Sequence, residues 1–69
     1  MITLADKLFC LKRELGYRRF VYPRQVASGT MKQEKADREI AVMEAIVAEY
    51  QTQVDALPVP KPEADLFNR

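Results

Sequence analysis

Ala36-Asp37-Arg38-Glu39-Ile40-Ala41-Val42-Met43-Glu44-Ala45-Ile46-Val47-Ala48-Glu49-Tyr50-Gln51-Thr52-Gln53-Val54 is the stretch that decides the fold. Ala36, Ile40, Met43, Val47, Tyr50 and Val54 recur at intervals of three and four, the spacing that stacks side chains on one helix face. Ile46 widens that stripe, while Ala41, Ala45 and Ala48 lie elsewhere, raising helix propensity and permitting close approach. Glu34 and Arg38 add an i to i+4 pair. Upstream, Thr30 with Gln33 has the spacing of a capping box, so the sequence predicts a helix over 31–56.

A second helix is predicted ahead of it. Thr3 and Asp6 form another capping-box pair, and Leu4, Leu8, Leu11, Leu15 and Tyr22 line one face of a helix over 3–22. Ile2, Phe9 and Phe20 fall on roughly the opposite face, and a helix apolar on two sides has two partners to satisfy. Gly16 weakens this helix by about 1 kcal/mol relative to Ala. Pro23 removes a backbone donor and biases Tyr22 away from the α region, so the helix is expected to end or kink there. Arg24 to Ser28 then reads as a short Pro-initiated helical turn, stopped by Gly29 in the left-handed conformation.

The expected fold is all-α: an antiparallel two-helix hairpin over residues 1–57, with its turn at 23–30, that dimerises and carries an extended Pro-rich tail over 58–69. Dimerisation is expected because 69 residues bury little apolar surface. Cys10 is the lone cysteine and histidine is absent, so neither an intrachain disulfide nor a structural zinc site can compensate. Cys10 itself reads as buried or semi-buried filler.

A formal net charge of +1 hides a split. Residues 1–24 carry six basic side chains against Asp6 and Glu14, a net +4; residues 31–57 carry three basic side chains against six acidic ones, a net −3. Opposite charge on consecutive helices favours pairing them with each other. The basic residues Lys12, Arg13, Arg18, Arg19 and Arg24, interleaved with Tyr17, Phe20 and Tyr22, are candidates for weak nucleic-acid contact; the other reading is a solvated face complementary to the acidic helix.

Catalysis is not expected. With no histidine and the single serine Ser28, there is no familiar nucleophile and base pair and no Gly-rich phosphate cradle, so no catalytic residue, cofactor or metal is assigned. The chain has neither a membrane-length apolar run nor a signal-peptide pattern and is expected in the cytoplasm of a bacterial host cell.

Two resemblances bear on function. Tyr22-Pro23-Arg24, Val26, Gly29 and Met31, followed by Ala36-Asp37-Arg38-Glu39-Ile40 and Met43-Glu44-Ala45-Ile46, resemble small uncharacterised proteins encoded by phages, prophages and proteobacteria, over roughly Glu14 to Tyr50. That likeness implies an origin and no activity. At the other end, Glu63-Ala64-Asp65-Leu66-Phe67 resembles the peptide with which bacterial polymerases and their accessory proteins grip the β sliding clamp, with Glu63 where Gln is usual. The resemblance implies that Leu66 and Phe67 fill a hydrophobic pocket, Asp65 shapes the backbone and Glu63 contacts the pocket edge. Pro58, Pro60 and Pro62 would hold this peptide extended and accessible.

Overall fold

A computed structural model describes residues 1–58, and the predicted clamp peptide Glu63 to Phe67 lies outside them. The described residues form two helices packed on each other, α1 (Leu4–Ala27) and α2 (Gln33–Asp55), joined by a five-residue connection that makes them antiparallel. The described residues thus form an all-helical hairpin.

α1 opens where the sequence predicts. The Thr3 hydroxyl accepts from the Asp6 amide at 3.1 Å, and the Asp6 carboxylate accepts from the Thr3 amide at 3.0 Å. Its end differs from expectation: the helix continues through Pro23 to Ala27 instead of stopping at Tyr22, so Arg24 to Ala27 form its last turn. A proline inside a helix leaves one carbonyl, here that of Arg19, without its amide donor. Both residues are exposed, so water can take that bond, while continuing the helix keeps Tyr22, Gln25 and Val26 half-buried on the packed side.

The stop comes one turn later. Gly29 sits at φ 80°, its amide donating to the Val26 carbonyl at 3.1 Å, and the Thr30 amide donates to the Gln25 carbonyl at 2.9 Å. This is a Schellman closure, with glycine supplying the left-handed residue. Thr30 is consumed by it, because its hydroxyl also donates to the Gln25 carbonyl at 3.1 Å. The predicted Thr30–Gln33 capping box therefore does not form: α2 begins two residues later than expected, with Lys32 at its N-cap and no side chain capping it. Gln33 instead donates along α2 to Asp37 at 2.8 Å. The expected Glu34–Arg38 pair is also absent, the ion pairs among the described residues being Arg18–Glu14 and Arg19–Glu44.

The two helices meet along a seam with steps of four and three residues. On α1 it runs through Leu4, Leu8, Leu11, Leu15, Arg18, Tyr22 and Gln25; on α2 through Ala36, Ile40, Met43, Val47, Tyr50 and Val54, every one buried or half-buried. A mean step of 3.5 residues keeps one stripe facing a partner helix over many turns. Among the described residues the buried apolar side chains are Leu8, Leu15, Ala36 and Met43, so the core is one side chain thick.

Candidate functional site

With the seam occupied, the opposite face of α1 is open. Ile2, Phe9 and Phe20 stand 76%, 67% and 62% exposed, and Tyr17 beside them 59%. Large apolar side chains gathered on one exposed strip mark an interaction surface more often than scattered ones do. Exposed large hydrophobics on α2 are fewer: only Val42 reaches that state within the helix.

Arginines complete the face. The Arg13 guanidinium lies over the Phe9 ring, 5.9 Å from its centroid, and that of Arg24 lies over Phe20 at 4.3 Å. Each Phe is followed four residues later by its Arg, one helical turn on. The two Phe-to-Arg units are themselves eleven residues apart, three turns, which returns them to the same side of α1. Gly16 lies between the units, and a Cβ built there would meet no atom within 4 Å. A planar cation over an exposed ring covers part of the aromatic surface and still offers donors to an incoming group.

The predicted basic cluster is divided by this arrangement. Arg13 and Arg24 share the outward face. Arg18 sits in the seam, its side chain 21% exposed, donating to the Glu39 carbonyl of α2 at 3.1 Å and to Glu14 at 3.1 Å. It also lies over Tyr22 at 5.9 Å. Arg19 bridges to Glu44 of α2 at 2.7 Å, joining the basic helix to the acidic one. Lys12 is exposed and, at 100° per residue, stands well away from Arg13. These five cations therefore do not line one continuous strip. Arg18 is a packing residue that an apolar pattern does not reveal; the step of three from Leu15 and four to Tyr22 marks the position.

Cys10 is exposed rather than buried or semi-buried, 3.9 Å from an Arg13 nitrogen. It lines two shallow grooves, one shared with Arg13, Glu14 and Tyr17, the other with Ile2, Asp6, Lys7, Leu11 and Tyr50 at the open end of the hairpin. The described residues contain no group of His, Cys, Asp and Glu side chains disposed to hold a metal ion. Among them, too, no helix is long and apolar enough to cross a membrane.

Comparison with known proteins gives no relative: no family model matches the chain, and neither a curated protein nor a solved structure is similar to it at a significant level.

Proposed function

We propose that the chain is a noncatalytic, self-assembling protein-protein interaction module of phage or prophage type, working through the outward face of α1. The observation that carries this reading is the exposure of Phe9 and Phe20 on the side of α1 away from α2, with Ile2 exposed just ahead of its first turn. Fully burying each such side chain is worth about 1.5–3 kcal/mol, a large increment for a hairpin with four buried core residues. Sedimentation velocity on the whole chain tests it. The wild type sediments faster than a monomer, and Phe9→Ser with Phe20→Ser returns it to monomer; an unaltered profile contradicts the reading. The resemblance of Tyr22 to Ile46 to small phage and prophage proteins supports the origin, and with it a bacterial cytoplasm as the place of action.

A second reading is favoured by Asp65-Leu66-Phe67 and the prolines ahead of it. Here the C-terminal segment docks on the bacterial β sliding clamp, Leu66 and Phe67 anchoring, Asp65 shaping the backbone and Glu63 at the pocket edge, and the hairpin recruits to or inhibits replication. Two apolar anchors give about 3–6 kcal/mol gross, which after ordering costs suits a micromolar linear motif, and a dimer presenting two such segments gains by avidity. Titrating purified clamp with a labelled peptide covering 57–69 should give saturable binding that Leu66→Ala with Phe67→Ala abolishes. Equal binding by both peptides rejects it.

Weak nucleic-acid contact through Lys12, Arg13, Arg18, Arg19 and Arg24 has less support, since Arg18 and Arg19 are engaged by Glu39, Glu14 and Glu44.

A further inference from the structure

Of the two grooves that Cys10 lines, the one at the open end of the hairpin is the more apolar. Ile2, Leu11 and Tyr50 wall it with Cys10, and Asp6 and Lys7 stand at its rim. Leu11 and Tyr50 belong to the seam, yet the packing of α1 on α2 leaves them only half-buried, so apolar surface still meets water there. The Asp6 carboxylate is taken by the Thr3 amide at 3.0 Å. Lys7 has no ion-pair partner among the described residues.

The chain continues from this same end. α2 stops at Asp55, and the Leu57 amide donates back to the Val54 carbonyl at 3.1 Å. Residues 59–69, outside the described ones, follow; their adjacent pair of large apolar side chains is Leu66 and Phe67, with Glu63 and Asp65 just ahead.

We propose that Leu66 and Phe67 dock in the open-end groove of their own chain, covering Ile2, Leu11 and Tyr50, with Asp65 beside Lys7.

Tether, reach and chemistry choose this occupant. At 1.5 Å per residue, Tyr50 lies about 8 Å back from the end of α2, and the groove runs about 14 Å along α1 from Ile2 to Leu11. Leu66 is nine residues beyond Leu57, and at about 3 Å each these span up to about 28 Å, enough to reverse and meet any part of the groove. The closed end of the hairpin, about 35 Å away along α2, is beyond that reach. The second groove begins no nearer and is walled by Arg13, Glu14 and Tyr17, which offer an apolar pair less to cover. The tether also holds the pair at an effective concentration in the millimolar range, so a contact too weak to form between separate molecules is populated within one. This docking does not rest on the clamp reading; where both hold, groove and clamp compete for the same two side chains.

Cys10 is the one cysteine, and it lines the groove, so its alkylation by iodoacetamide reports occupancy. The rate is measured on the whole chain, at a concentration where sedimentation shows monomer, for wild type and for Leu66→Ser with Phe67→Ser. Neither position belongs to the buried core, so both proteins should share one far-UV circular dichroism spectrum. The wild type should react at least about threefold more slowly, the value for a groove covered two-thirds of the time. A peptide of residues 57–69 at millimolar concentration should slow the double variant again. Ile2→Ser, which removes a wall of the groove, should raise the rate in the wild-type background and change it little once Leu66 and Phe67 are gone. Equal rates for wild type and double variant overturn the proposal, as does an Ile2→Ser effect of the same size in both backgrounds. Protection that rises with protein concentration overturns it in favour of a tail from another copy. None of these outcomes bears on the clamp titration, so the two readings fail separately.

Discussion

Leu15→Ala is the sharpest probe of how the hairpin is held together. Leu15 sits near the middle of α1, 6% exposed, in the seam between Leu11 and Arg18. Removing a buried leucine to the β-carbon costs about 2–5 kcal/mol, the larger values belonging to sites that cannot collapse. A two-helix layer can relax or admit water from either edge, so the lower half of that range applies, about 2–3 kcal/mol. For 69 residues the whole stability is about 3–10 kcal/mol. One methyl-rich side chain therefore carries a large share, and the urea midpoint followed by far-UV circular dichroism should fall steeply with little change in slope. Phe9→Ala provides the contrast. Phe9 is 67% exposed, and at a protein concentration low enough to keep the chain monomeric its truncation should move stability by less than about 0.5 kcal/mol. Comparable losses from the two substitutions under those conditions would refute the placement of the seam and the open face.

Substitutions at two further positions probe departures from the expected pattern. Pro23→Ala should stabilise the hairpin by roughly 2 kcal/mol, because it restores the missing helix donor and the alanine's greater unfolded-state entropy offsets only part of the gain; a lower melting temperature would mean that the proline marks a needed break. Arg18→Ala should cost about 1–2 kcal/mol through the lost bond to the Glu39 carbonyl and the lost packing of its stem. Arg18→Leu should stay within about 1 kcal/mol of wild type, an apolar side chain being at home in the seam, so chemical denaturation showing leucine as damaging as alanine would contradict that account.

Periodicity made the hairpin legible and local chemistry misplaced its details. The α2 stripe from Ala36 to Val54 repeats often enough that a single reading fits it, and all six of its seam positions are buried or half-buried. The Thr3–Asp6 cap was equally readable, since both of its hydrogen bonds are local. Pro23 misled because its propensity acts on one turn, whereas the packing of Tyr22, Gln25 and Val26 acts on the whole helix end. Thr30 misled because two motifs compete for it, and closing α1 onto the Gln25 carbonyl wins over capping α2. Arg18 was read as free charge because a polar residue at a seam position interrupts an apolar pattern; only its backbone acceptor on Glu39, 21 positions away, explains it. The outward face was visible as Ile2, Phe9 and Phe20, but Tyr17 and the pairing of each Phe with an Arg one turn later required the side chains in place. Glu63 to Phe67 lie outside the described residues, so that candidate site rests on its sequence alone.

Self-association through the face of α1 turned away from α2, as proposed, ties the stability of the hairpin to protein concentration. Thermal unfolding of the wild type over a wide range of protein concentration tests it most directly, because a fold stabilised by self-association gains by mass action. The expected result is a melting temperature that climbs steadily with concentration, and a climb that Phe9→Ser with Phe20→Ser removes. A wild-type melting temperature independent of concentration would contradict it.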